Sequence, residues 1–423
     1  MQLIINCDQE HKLKYLHYLM IFWMCQLLKT NLFFTIGIDN SYIITILFGV
    51  MVAALYKKRV LFLSKYVLWY ILLISCVLFS IVMTGGALTI GTILHVLGKI
   101  LFVYVTIMFD AKKFAHRFVK LTYVFSISSL VCWGIYIVFG AGAAAAISRL
   151  LYHRGNLYGL FFIGYNFTST GITGGRNAYL FSEPGVYQLL VNTALYFVLF
   201  HEDEFKDKSI KYVIVFIITI LTIQSTEGYM IFLMILLAGL LRKNPDRSKA
   251  LMKIKYALIV FVGIAFTYLS KFANQSSFIY VNFFGKIMNS SNQLDFSQGT
   301  AAARYNSFQN FFSFFEAGID KILFGVGSAG GTGGQYVDTN GMLVLVVYFG
   351  LIFAVVFYGY NLYQCMKYSK DFFELICIVF IVICHGMSQP DFMNVMIVLV
   401  MLFNPLEAFT QYQCEGDPEY ETN

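Results

Sequence analysis

The sequence predicts an all-α polytopic membrane protein with about twelve transmembrane helices, and three observations predict it. Of its 423 residues, 58% are hydrophobic and only 13% charged, where an ordinary soluble domain is about 45–50% apolar and about 25% charged. The apolar residues fall in runs of about 16–23, the length needed to cross roughly 30 Å of hydrocarbon. Lys and Arg collect in alternate connections between those runs. This composition excludes a soluble enzyme, a disordered tail and a nucleic-acid binder, and the five prolines exclude a Pro-rich linker.

The apolar segments in order are 15–36, 41–56, 61–83, 92–109, 119–139, 185–200, 212–224, 227–241, 256–271, 341–359, 372–386 and 391–405. The first is interrupted by Lys29 and lacks a small-residue cleavage site, so it reads as a membrane helix and not as a signal peptide. Segments 212–224 and 227–241 meet at Gln224-Ser225-Thr226-Glu227-Gly228. They are either one tilted helix or two short passes, and two passes fit the charge pattern better. Short cytoplasmic loops carry the Lys and Arg. One set of ends holds the clusters Lys57-Lys58-Arg59, Lys112-Lys113, Arg242-Lys243 and most other cations; the opposite set holds Arg149, Arg154, Arg176, Lys271, Lys286, Arg304 and Lys321. Both termini are therefore expected in the cytoplasm, and residues 1–423 form a single integral membrane domain. Topology accounts for the net charge of +7 without a nucleic-acid partner. No cysteine lies in an external connection, so no disulfide is expected.

Two connections are long, 140–184 and 272–340, both on the external side. They are rich in glycine and aromatic residues, which suits interfacial packing or short amphipathic helices. Long loops usually carry function. The first ends Arg176-Asn177-Ala178-Tyr179-Leu180-Phe181-Ser182-Glu183-Pro184-Gly185. Pro184 and Gly185 mark a helix start, where Glu183 either caps the helix with Arg176 as its ion partner or stands beside a lipid head group. The second carries Arg304, then Gly325-Val326-Gly327-Ser328-Ala329-Gly330, then Asp338-Thr339-Asn340. The glycine pattern lacks a βαβ setting, so it is not a dinucleotide site. It is either a flexible turn or a set of backbone N–H groups at Gly325 and Gly327 that cradles phosphate oxygens, with arginine adding bidentate pairing.

No set of residues has metal-ligand spacing and no serine-hydrolase motif lies outside, so neither a metal nor another cofactor is expected. Within the spans, His95 and Lys99 share a helix face, and Glu227 is a further ionisable group; such groups are functional hypotheses by default. His385, in a bend between two spans, is either a helix-end hydrogen bonder or a proton acceptor.

The order of these parts resembles the bacterial O-antigen polymerases (Wzy-type), relatives of the O-antigen ligases. The resemblance runs over nearly the whole chain. It rests on Arg176 with Phe181-Ser182-Glu183-Pro184-Gly185, on Arg304 with Phe324-Gly325-Val326-Gly327, on Asp338-Thr339-Asn340 with Gly350, and on the polar turn at 224–228. The Arg-x10-Gly spacing of some polymerases is not met. The histidine that ligases place before the asparagine is missing, which favours polymerase over ligase.

The resemblance implies a metal-independent GT-C-type glycosyltransferase of the inner membrane with two large periplasmic loops. It would transfer a growing glycan from undecaprenyl diphosphate to a new lipid-linked repeat unit. A ligase and a flippase of lipid-linked oligosaccharide are the alternatives. The partners implied are the undecaprenyl-diphosphate-linked oligosaccharide and the bilayer, with a chain-length regulator left open. In that scheme Arg176 and Arg304 oppose the diphosphate, and Glu183 is the first choice of base and Asp338 the second. Asn340, Gly325, Gly327, Tyr187 and His385 form the substrate-binding set.

Overall fold

The computed structural model describes residues 14–28, 63–86, 88–149, 153–154, 157–160, 163–165, 176–181, 183–201, 205, 209–242, 299–328, 340–388 and 393–415. Helices α1 (Lys14–Gln26), α2 (Ser64–Met83), α3 (Ile90–Phe109) and α4 (Ala111–Arg149) are followed by strands β1 (His153–Arg154), β2 (Leu157–Leu160) and β3 (Ile163–Tyr165). Then come α5 (Pro184–Phe200), α6 (Ser209–Ile223), α7 (Thr226–Leu241), α8 (Gly299–Phe314) and α9 (Ile319–Phe324). A long helix α10 (Gly341–Tyr368), α11 (Phe372–Ser388) and α12 (Val395–Glu415) complete the order.

Among the described residues, four helices are long and apolar enough to cross a membrane: α2, α3, residues Ala111–Gly140 of α4, and α10. Shorter apolar helices are α5, α6, α7, α11 and Val395–Thr410 of α12. At 1.5 Å per residue, the 15 residues of α6 and 16 of α7 run about 23 Å, short of the roughly 30 Å core of a bilayer. Ten of the twelve apolar segments fall wholly or partly on described residues, and each coincides with a helix. Segments 41–56 and 256–271 lie outside the described residues. The choice at 212–241 is settled in favour of two helices. Gln224 takes a left-handed φ of 54°, Ser225 caps α7 through Gly228 N, and the Tyr229 hydroxyl folds back to Leu221 O at 3.0 Å.

The two long connections contain regular structure that the sequence pattern did not predict in detail. Helix α4 runs through a kink at Gly140 (φ 74°) to Arg149. The strands then form an antiparallel meander, with His153 opposite Tyr158 and Tyr158 opposite Tyr165. In the second connection, α8 ends on Phe314, which is buried against Val344 and Val347 of α10.

Side-chain pairings sort the helix ends into two groups. At one, His17 Nε2 meets Thr106 O (3.0 Å), Leu63 N donates to the Tyr104 hydroxyl (3.0 Å), Arg242 Nη1 donates to Phe200 O (3.0 Å) and Arg242 pairs with Asp371 (2.5 Å). Lys14, Lys65, Lys112, Lys113, Lys120, Lys211, Lys367 and Lys370 lie on the helix turns of this basic end. At the other, polar end, Thr92 meets Ser328 (2.8 Å), Asn177 N donates to Thr222 O (3.0 Å), and Asn340 Nδ2 reaches Met387 Sδ (3.3 Å). The cations whose side chains are described there are Arg176 and Lys321; Arg149, Arg154 and Arg304 are described by their backbone alone.

Helix α5 is the hub. It is buried on nearly every face, from Pro184 to Phe200, as expected of a helix apolar all round. It packs against α4, α6, α7 and α12. Pro184 at its start lacks only an N–H that would have no helical partner.

Helix α10 is broken at Gly350 (φ 84°, ψ 167°) and continues through a π-helical turn at Val355–Gly359. The break takes the Val347 and Tyr348 carbonyls out of the helical ladder. Val326 N and Gly327 N supply the missing donors, at 2.8 and 3.2 Å. Ser80 of α2 adds a 2.5 Å hydrogen bond to Phe324 O. The approach is so close that a Cβ on Gly350 would overlap the backbone of Leu323 and Phe324, and one on Gly325 would overlap that of Tyr348. Gly350→Ala is therefore expected to lower stability by at least the about 1–3 kcal/mol of a strained backbone, read as a lower thermal midpoint in detergent. Gly359→Ala, whose Cβ meets only Val355 Cγ1 at 3.9 Å, should leave the midpoint unchanged.

Candidate functional site

The polar end gathers the chemistry-bearing residues, and Asn177 organises the approach to it. This side chain is fully buried. Its Nδ2 donates to Ser129 Oγ and Thr222 Oγ1, both at 3.1 Å, and its Oδ1 accepts from Tyr179 N at 3.2 Å. The bonds force a tight turn, with Tyr179 at φ 48°, and fix the backbone on either side.

Arg176 precedes that turn and is half-buried. Burial pulls its guanidinium below the ordinary range, and the neighbouring Glu183 carboxylate acts in the opposite direction. Glu183 itself is exposed. It occupies the N-cap position of α5 yet makes no side-chain capping bond. The Glu183 charge thus acts on Arg176, and Glu183 forms no capping bond.

The other predicted residues fare differently. Asn340 caps α10 by accepting from Leu343 N at 3.2 Å, and is fully buried beside Met387. Tyr187 is fully buried, stacked on Phe181 with ring centroids 5.3 Å apart, and its hydroxyl donates to Ser129 at 2.9 Å; this gives it a packing role between α5 and α4 instead of a ligand-facing one. The N–H of Gly327 is taken by Tyr348 O and that of Gly325 by Lys321 O at 2.7 Å. These glycines lock the broken helix, and their donors are not free to cradle phosphate. Arg304 stands on α8, about 15 Å before Phe314 along the axis; its side chain lies outside the described residues, as does Asp338.

The pairing that sequence reasoning missed is between α7 and α11. His385 Nδ1 lies 2.8 Å from Glu227 Oε1, with His385 fully buried and Glu227 nearly so. Glu227 sits in the first turn of α7, where the helix dipole favours a carboxylate. Close packing puts it there: a Cβ on Gly228 would lie 3.0 Å from Gln188 Cβ. Asn192 Nδ2 donates to Gln188 Oε1 (2.7 Å) and to Gly228 O (3.1 Å). The available signal was Gln188 and Asn192, polar and four apart on one face of an apolar run.

Lys99, on α3, donates to Met393 O and lies by His95 Nε2, both at 3.0 Å. It ties α3 to the start of α12. An open apolar groove of about 420 Å³ between α2 and α10, lined by Leu68, Trp69, Leu72 and Tyr360, has Lys65 and Gln364 at the basic end of its wall, away from this cluster.

No family model and no curated protein matches the chain. The reading of its function therefore rests on the residues themselves.

Two outcomes separate capping from charge at this end. Asn340→Ala should cost about 1 kcal/mol of stability through the lost cap, with Asn340→Ser retaining most of it. Glu183→Gln should cost less than about 1 kcal/mol, because no capping bond is lost and only an exposed charge interaction with Arg176 is removed.

Proposed function

We propose that the chain is a membrane-embedded glycosyltransferase of the O-antigen polymerase type. It moves a glycan from a polyprenyl diphosphate to the sugar of a second lipid-linked repeat unit. The observation that carries this reading is the half-buried Arg176 beside an exposed, uncapped Glu183, on a turn pinned by Asn177 at the polar end of an apolar bundle. A guanidinium in that position pairs bidentately with a diphosphate and is permanently charged. Opposing the charge that develops on the leaving group is the electrostatic part of the catalysis.

The distribution of cations supports the orientation. Lys and Arg crowd the basic end, so that end faces the cytoplasm by the positive-inside rule, and the polar end opens to the periplasm across a bacterial inner membrane. Both termini are then cytoplasmic. The lipid tail lies against the exposed apolar side chains of the bundle, which brings the reactive carbon to the polar end by proximity. Arg304, on α8, is the second guanidinium for the diphosphate. Glu183 accepts a hydrogen bond from a hydroxyl of the incoming sugar.

The test is transfer by the purified protein between defined undecaprenyl-diphosphate-linked repeat units, read as a ladder of products. Arg176→Ala and Arg304→Ala should each slow elongation by about 10²–10³-fold with unchanged protein yield. Arg176→Lys, which keeps charge but loses the bidentate fork, should fall between. Normal ladders in both alanine variants would remove the diphosphate role. Absence of any transfer, with lipid-linked sugar crossing the bilayer of vesicles, would favour the flippase.

A further inference from the structure

The transfer needs a group to take the proton of the attacking hydroxyl. Glu183 is exposed, and no capping bond at the start of α5 fixes where its carboxylate points. The buried pair at the ends of α7 and α11 is better suited. A carboxylate only accepts hydrogen bonds, so in the Glu227–His385 contact the neutral imidazole carries its proton on Nδ1. The lone pair then stands on Nε2. That atom is buried and makes no hydrogen bond among the described residues. The same division of labour lets a carboxylate-oriented histidine act as general base in hydrolases. His385 lies in the last turn of α11, which ends at half-exposed Ser388. It therefore sits within about one turn, roughly 5 Å, of the polar end.

We infer that His385 is the proton acceptor of the transfer and Glu227 its positioning residue. This rests on the glycosyltransferase reading. The O–H bond of the acceptor sugar breaks and its proton passes to His385 Nε2. The freed oxygen forms a bond to the anomeric carbon of the donor. The bond from that carbon to the diphosphate breaks, and its electron pair leaves with the polyprenyl diphosphate. The imidazolium, held by the Glu227 carboxylate, returns its proton to water or to the released diphosphate. The ionisable side chains within two residues of this pair on the same two helices are Cys384 on α11 and Tyr229 on α7.

The experiment is the same purified transfer assay, run as a function of pH. His385→Gln should lower kcat by about 10²–10⁴-fold while KM stays within about threefold. Glu227→Gln keeps a hydrogen-bond acceptor but removes the counter-charge of the imidazolium. It should move the acidic limb of the kcat profile toward lower pH, and Glu227→Asp should restore the original profile. Full activity of His385→Gln, or an unshifted profile in Glu227→Gln, overturns the assignment while leaving the transferase reading intact. If the wild-type protein transfers nothing, both fall together. A collapse of all variants on size-exclusion chromatography, with Glu227→Asp failing to rescue folding and activity, would mark the pair as structural and also overturn the assignment.

Discussion

Helix α5 has almost no face left for lipid or water, and that constraint propagates through the rest of the bundle. Its polar side chains must find partners inside the protein, because an unmatched polar group in a dry interior costs free energy. Asn192 turns to Gln188 and to Gly228 O, and the Tyr196 hydroxyl donates to Glu374 at 3.0 Å. The bond to Gly228 forms only if α7 comes close, and a side chain larger than hydrogen at 228 would crowd Gln188. Once α7 is drawn in, its first turn delivers Glu227 to α11. The His385 contact is thus a consequence of how a buried amide is satisfied two turns into α5.

The two ends of the bundle use charge in opposite ways. At the basic end the ionisable side chains close on one another. Arg117 pairs with Asp110, Arg242 pairs with Asp371, and His201 lies between Glu374 at 3.5 Å and Glu407 at 3.3 Å. Breaking the buried Arg117–Asp110 pair would leave an uncompensated charge, and the contacts of Arg242 and His201 hold α5, α7, α11 and α12 together. At the polar end the elements are joined chiefly by neutral hydrogen bonds from Asn177, Ser129, Asn340 and backbone groups. Arg176 and Glu183 stay partly wet. The Arg176 guanidinium is half-buried there, in surroundings where burial strengthens its field.

The helices were legible because an apolar run leaves the backbone no choice but to bond to itself, and that signal survives without tertiary information. Pro184 marked the start of α5, and the polar run 224–228 with the charge pattern favoured two passes there. The site was legible only in part. Arg176 and Glu183 are seven apart in the chain, and their neighbourhood follows from a local turn. Glu227 and His385 are separated by 158 residues. Each reads alone as an isolated polar residue near a helix end, and nothing local says that they meet. The direction of Tyr187 was hidden for a related reason: proximity in sequence to Glu183 does not fix which way a helical side chain points, and its hydroxyl donates to Ser129. The glycines of 325–327 were ambiguous in principle. Glycine permits close backbone approach, and composition does not reveal whether the approaching group is a phosphate or another part of the chain.

That ambiguity resolves into a statement about the second long connection. A carbonyl released inside an apolar bundle must be matched from within the protein. The break at Gly350 releases two such carbonyls, of Val347 and Tyr348, about 10 Å along α10 from its first turn. The donors come from Val326 and Gly327, so the chain after α9 is drawn down beside α10 and fastened to α2 through Ser80. Phe314, at the end of α8, then packs on Val344 and Val347 just above the break. The position of α8, and with it the backbone of Arg304, is therefore set by a defect in α10. A straight α10 would satisfy its own carbonyls and leave α8 without an anchor. The glycines serve the polar end indirectly, by holding the helix that bears the second arginine.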